Sequence, residues 1–425
     1  MKIKTLSLNN YRGVKSLSLK LHKTTNVFMG DNGCGKSTIL DAVAIMLSWI
    51  VNRVKHPTAS GRPITESDIA NGTSTSDIEI NCADDTLEIL WKLVKHRKGY
   101  GHQGPKSNLS SLSNYTKQIQ AMIAEKQEQL NLPLFVYYPV NRAVLDIPLR
   151  IRERHQFTLF AAYNEALTSG ANFRTFFEWF REREDLENEN RKYKDDLLKP
   201  DDFQFPDPQL EAVRKALEQF LPEFQNLTVR RKPLRMEIEK SGKRMTVNQL
   251  SDGEKCLIAL VGDLARRLAI ANPVRENSMQ GKGIVLIDEI DLHLHPKWQR
   301  IIVPTLNRVF PNIQFIISTH SPHVLTHVRP ENLFLLALSD QGIESNHPAE
   351  SYGKNADRVL EDLMGLETTR PDVINRKLIK LYETISEGEL KRAAEQVLAL
   401  RNLIGEDPEL VKASVLIKRR EIIGR

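Results

Sequence analysis

Residues Gly30-Asp31-Asn32-Gly33-Cys34-Gly35-Lys36-Ser37-Thr38 carry the glycine spacing and the Lys-Ser pair of a phosphate-binding loop. Glycines let such a loop wrap until backbone N–H groups face phosphate oxygens, and a helix after it adds its positive N-terminus to the same anion. The Lys36 ammonium suits the β- and γ-phosphates, and the Ser37 hydroxyl suits Mg²⁺. Far downstream, the apolar run 283–287 ends in Asp288-Glu289. Asp288 fits a carboxylate that holds Mg²⁺, and Glu289 fits the base that polarises the attacking water. A further apolar run, 314–318, ends in Thr319-His320-Ser321-Pro322 and brings His320 toward the γ-phosphate. These residue types predict ATP binding and hydrolysis, with Mg²⁺.

Each group needs an element to hold it. Val27-Phe28-Met29 before the loop and Ile39-Leu40-Asp41-Ala42-Val43 after it predict strand, loop, helix. The two apolar runs ending in Asp288-Glu289 and in Thr319-His320 read as central parallel strands, apolar because both faces are covered. Between them stands Leu250-Ser251-Asp252-Gly253-Glu254-Lys255. Ser251 and Glu254 make a capping box for a helix over about 255–271. Capping alone accounts for that spacing. The functional reading adds that the Ser251 hydroxyl and the Gly253 backbone, at a helix start, form a second anion site.

Four motifs in this order resemble those of the ABC-type ATPases. With Leu8-Asn9-Asn10-Tyr11-Arg12-Gly13 at the start, and Ile290-Asp291-Leu292-His293-Leu294-His295-Pro296 after the Asp-Glu pair, the sequence is similar to the SMC-like and OLD-like group. Asp252 and Glu254 replace the commoner Gly and Gln of transporters, which points away from transport. Tyr137-Tyr138-Pro139-Val140-Asn141-Arg142 and the stretch 351–425 extend the resemblance to the PtuA-type ATPases of Septu and retron-linked antiphage systems. The resemblance implies that ATP is sandwiched between paired heads, with Ser251 and Gly253 supplied in trans and Arg12 also at the nucleotide. It implies a homo-oligomer, a partner HNH nuclease of the PtuB kind and, in retron versions, a reverse transcriptase with its RNA-linked DNA. A DNA-repair or recombination ATPase acting on DNA ends is the alternative. Asn141 or Arg142 falls near the place of a Q-loop glutamine without matching it.

The expected fold is α/β: an ABC-type P-loop ATPase head over 1–338, a helical insertion over about 143–225, and a C-terminal helical module over 339–425 for oligomerisation or partner docking. Length and an apolar content of 40% in 425 residues suit a large head plus a smaller module. No apolar run is expected to span a bilayer, and the strand-like start predicts no signal peptide, so a cytoplasmic protein is expected. Cys34, Cys82 and Cys256 read as reduced thiols. His293, His295, His320, His323 and His327 match no zinc spacing. Net charge is +6 with a pI near 9.0, compatible with nucleic-acid contact through Arg150-Ile151-Arg152-Glu153-Arg154 and Arg230-Arg231-Lys232.

Residues 57–76 read as a loop, 78–93 as a hairpin turning at Ala83-Asp84-Asp85, and 173–194 as a charged helix too short and irregular for a coiled coil. After His320 the strong strand is 333–338, and no Asp-x-Asp of a TOPRIM nuclease follows it, so no intrinsic nuclease is expected. Residues 357–363, 371–385, 389–403 and 408–422 read as four helices.

Overall fold

The computed structural model describes residues 1–423 except 86, 100–103, 127–128, 141–156, 169–172, 197, 201–202 and 340–341. Apolar alternation over the first twenty positions makes an antiparallel pair, β1 (Lys2–Tyr11) and β2 (Val14–Lys20), with Leu6 opposite Leu19 and Leu8 opposite Leu17. The fully buried β3 (Thr25–Gly30) leads through the glycine loop into α1 (Lys36–Lys55). The expected hairpin is β4 (Thr75–Asp84) and β5 (Leu87–His96), with Asp84 opposite Leu87. Helix α2 (Ser110–Lys126) and strand β6 (Leu134–Tyr138) follow.

Helices α3 (Phe173–Asn190) and α4 (Pro208–Phe220) lie within the expected insertion. A small antiparallel sheet, not foreseen, comes next: β7 (Phe224–Arg231), β8 (Leu234–Lys240) and β9 (Lys243–Thr246). It leads to α5 (Asp252–Ala271), β10 (Gly283–Ile287), α6 (Pro296–Val309), β11 (Ile313–Ser318) and the single turn α7 (Pro322–Leu325). Strands β12 (Leu333–Ser339) and β13 (Gly342–Asn346) complete the sheet.

Six strands form one sheet in the order β13-β12-β3-β11-β10-β6, parallel except for β13. A second, antiparallel sheet has the order β2-β1-β4-β5. Helix α1 is apolar all round because the core that encloses it takes side chains from both sheets, among them Leu6, Ile80, Leu286 and Ile316. Among the described residues α1 is also the one helix long and apolar enough to cross a membrane, an exception to the expectation of no such run. The buried Gln314 ties the sheets together: its Oε1 accepts Ile3 N–H at 2.7 Å, and its Nε2 donates to the Ile3 carbonyl at 2.9 Å. This is the expected α/β P-loop head.

The chain divides at Ala356/Asp357, not at 338/339. The physical reason is β13, whose pairing with β12 keeps 342–346 in the head sheet. The second unit contains α8 (Ala356–Asp362) from its second residue on, α9 (Asp372–Ser386), α10 (Leu390–Ile404) and α11 (Pro408–Ile423). The helical stripe of Leu378, Leu381 and Ile385 packs on Val397, Leu400 and Leu410, and Arg370 forks onto Asp407 at 2.9 and 3.1 Å. The unit therefore has a core of its own.

Candidate nucleotide site

Parallel strands of an α/β sheet end at one edge, and ligands bind there. Register aligns Val27, Ile317, Ile287 and Tyr138 in one row across β3, β11, β10 and β6. Backbone bonds continue one step past the row: Thr319 N–H to the Phe28 carbonyl at 3.1 Å, Ile290 N–H to Ser318 at 3.0 Å and Asp288 N–H to Tyr138 at 2.9 Å. The glycine loop, Asp288-Glu289 and Thr319-His320 are thus neighbours, though some 250 residues or more separate the loop from the other two in sequence.

In the loop, Gly35 caps α1 with φ 94°, a conformation that a side chain would strain. The loop ends on the positive terminus of a twenty-residue helix. The buried Lys36 ammonium donates to the carbonyls of Gly30 at 2.8 Å and Asp31 at 2.9 Å, so it lies across the loop. Asp31, Asn32, Gly33 and Ser37 are exposed, while Cys34 is buried and Thr38 is half-buried. Open backbone, a helix terminus, an ammonium and an exposed hydroxyl fit a polyphosphate with its divalent cation.

Asp288 is buried and accepts the Ser318 hydroxyl; the same hydroxyl oxygen accepts the Glu289 N–H at 2.7 Å. Ser318 thereby holds the Asp288 carboxylate and the Glu289 backbone, a role the sequence reading missed. Glu289 has φ 47°, a left-handed backbone uncommon for a residue other than glycine, which turns the chain sharply after Asp288. His320 is half-buried, and its backbone N–H reaches Asp291 Oδ1 at 3.3 Å. Among the described residues no three His, Cys, Asp or Glu side chains form a metal cage of their own.

The capping box forms as expected. Glu254 accepts from Ser251 N–H and Oγ–H, each at 2.8 Å, and from the Lys240 ammonium of β8. Burial by itself would raise the Glu254 carboxyl, but the bonds from Lys240 and Ser251 outweigh it and hold it below the usual range. Ser251 is exposed at the mouth of α5. Gly253 is buried, and a Cβ there would lie 2.4 Å from the His293 carbonyl oxygen. Glycine at 253 lets α5 close on the loop that follows Glu289.

Arg12 is committed to two carboxylates, Asp41 at 2.5 Å and Asp68 at 2.8 Å, and Asp41 also binds Arg62 at 2.8 Å. Asp41 stands in the second turn of α1, so Arg12 is beside the loop and tied to its helix. Asn141, Arg142 and the 150–154 basic group lie outside the described residues. Of the second basic group, Arg231 is paired with Glu184 and Asp185. None of the three cysteines is in a disulfide.

The AAA domain family matches residues 5–225, and the family described as AAA domain, putative AbiEii toxin, Type IV TA system matches residues 141–326. The retron Ec83 probable ATPase of Escherichia coli is 32% identical, over 99% of this chain and 87% of that protein. The retron Vc95 probable ATPase of Vibrio cholerae serotype O1 biovar El Tor is 30% identical, over 91% of this chain and 83% of that protein. Septu protein PtuA of Bacillus thuringiensis is 22% identical over 91% and 89%.

Proposed function

This chain belongs to the AAA domain family and is a relative of the retron Ec83 and Vc95 probable ATPases, and from that premise we propose that it is the regulatory ATPase of an antiphage defence complex. The observation that carries the ATPase reading is the gathering of the glycine loop, Asp288-Glu289 and His320 at one sheet edge. ATP supplies a reactive phosphoanhydride, and Mg²⁺ neutralises charge on its oxygens. Lys36 and the loop amides hold the phosphates, and Ser37 with Asp288 holds the cation. Glu289 takes the proton of the attacking water, and Ser318 keeps it in place beside Asp288. His320 holds the γ-phosphate end of the substrate.

Ser251 and Gly253 of a second copy complete the site, so hydrolysis is coupled to pairing of heads. The exposed, dipole-bearing start of α5 supports that role. The controlled partner is an HNH nuclease encoded nearby, with a reverse transcriptase and RNA-linked DNA in retron-type assemblies. The retron and Septu names of the relatives support this reading.

The test combines nucleotide titration with copurification. Lys36→Ala should abolish binding of a fluorescent ATP analogue while far-UV circular dichroism stays unchanged. Equal affinity in both proteins refutes the ATP site. Coexpression with the genomic neighbours should yield a stoichiometric nuclease complex, and its absence refutes the regulatory role.

A further inference from the structure

The end of α1 opposite the phosphate loop borders a cavity of ≈ 340 Å³ whose lining includes Lys55, Arg266 and Arg267. Lys55 closes α1, roughly 28 Å along the helix from Lys36 at 1.5 Å per residue. Arg266 and Arg267 come from α5, and Asn164, Glu165 and Thr175 complete the wall. Both arginines are buried.

Arg267 is engaged through both Nε and an Nη: Nε donates to Asp263 Oδ2 at 2.7 Å, and one Nη donates to the carbonyls of Ala162 at 2.8 Å and Asn164 at 2.9 Å. Arg266 is not. One Nη donates to Asp263 Oδ1 at 2.6 Å, while Nε and the other Nη are buried with no hydrogen-bond partner among the described residues. A guanidinium that has lost its water and gained no acceptor is unfavourable unless an anion joins it. Among the described residues, the acids that face these cations are Asp263, bonded to both arginines, and Glu165, two acids against three cations. Burial and the nearby Arg267 charge push the Lys55 ammonium below its usual range, as in a cation cluster short of counter-charge.

We propose that this cavity binds a phosphate group, free or as a small phosphomonoester, through Lys55 and Arg266. A tetrahedral dianion supplies the several acceptor oxygens that a forked guanidinium requires. The site is separate from the hydrolytic centre but linked to it. Tyr138 Oη donates to Asp263 at 3.0 Å, and the Tyr138 carbonyl accepts the Asp288 N–H at 2.9 Å. Helix α5 also carries Ser251 at its other end. An anion on Arg266 therefore bears on both halves of the composite ATP site, which makes it a regulatory ligand.

The experiment uses the full chain with its phosphate loop saturated by Mg²⁺ and ATPγS, at ionic strength held constant with KCl. Inorganic phosphate and ribose 5-phosphate are titrated while the melting temperature is followed. Wild type should show a saturable rise. Lys55→Glu, at a half-exposed position, should weaken the apparent affinity roughly tenfold or more, the equivalent of one lost charged hydrogen bond. Arg266→Met should fold and lose the response; if it does not fold, Lys55→Glu decides. The stronger of the two probes identifies free phosphate or phosphomonoester as the source. No saturable rise with either probe in wild type, or equal rises in wild type and Lys55→Glu, overturns the proposal.

Discussion

Asp291 fixes the backbone of His320: its Oδ1 accepts the His320 N–H at 3.3 Å and, on the same oxygen, the Thr319 hydroxyl at 2.5 Å. The loop after β10 thus clamps the end of β11, and the histidine is aimed by a carboxylate two residues beyond Glu289. Asp291→Ala leaves both donors without that acceptor, whereas Asp291→Asn retains an oxygen. We expect kcat to fall roughly 10- to 100-fold in the alanine variant, corresponding to one or two unmade hydrogen bonds. ATP affinity should change far less, and asparagine should recover part of the rate. A parallel loss of ATP affinity and kcat in both variants would instead assign Asp291 to folding of the site.

Glu289→Gln should bind ATP normally and hydrolyse it slowly, because the amide cannot accept the water's proton while Asp288 remains in place. Undivided nucleotide should then accumulate paired heads. Ser251→Arg puts bulk and charge at the helix start proposed to meet the opposing γ-phosphate, so pairing should fail. Light scattering with ATP separates the two. Identical association in both variants would contradict a composite site.

The bonds of Glu254 to Lys240 and Ser251 make a pH prediction. Its carboxyl titrates below the ordinary value of 4.5 in the folded chain, so the charged form stabilises the fold fully above that value. The contribution declines as pH falls from about 4.5 through the lowered folded value. Glu254→Gln keeps the capping box but removes the charge. The melting-temperature gap between wild type and this variant should hold steady from neutral pH to about pH 5 and narrow below it. A gap independent of pH down to 3 would show that the charge has no role.

Local signals accounted for much of this site. A glycine loop needs its own spacing, a capping box is read over four residues, and two buried strands carry their own apolar runs. Residues that act across strands left no such mark. Ser318 and Asp291 resemble any serine and aspartate until the parallel register sets β11 beside β10. The β7–β9 sheet was missed because its register shifts between Gln225 and Thr228 and its apolar positions are spaced by charges. One of those charges, Arg231, pairs with Glu184 and Asp185 on α3, far from it in sequence. Strand β13 has Ile343 as its single large apolar residue and owes its state to β12. The last three tail helices, α9 to α11, were legible because each buries a stripe at helical spacing against the others, with no distant partner needed.

The tail also carries the last prediction. Several of its large apolar side chains remain exposed, including Leu398 at 59%, Leu403 at 56% and Val415 at 59%. The unit already has its own core in Leu381, Leu400 and Leu410, so these outward positions are surplus to folding. If the second unit docks a nuclease or another ATPase subunit, as proposed, removing it should separate assembly from nucleotide binding. The cut belongs after Ala356. Ser351 Oγ donates to the Val328 carbonyl at 2.6 Å and Gly353 N–H to the Thr326 carbonyl at 2.9 Å, so an earlier cut would strip backbone partners from the head. Residues 1–356 should bind the ATP analogue with unchanged affinity and fail to copurify with the neighbouring gene product. Leu398→Glu with Leu403→Glu in the full chain should weaken the complex without lowering the melting temperature. A truncated head that still recovers its partner in stoichiometric amount would move the docking surface to the head, and a full-length chain that cuts DNA or RNA unaided would remove the need for a partner nuclease.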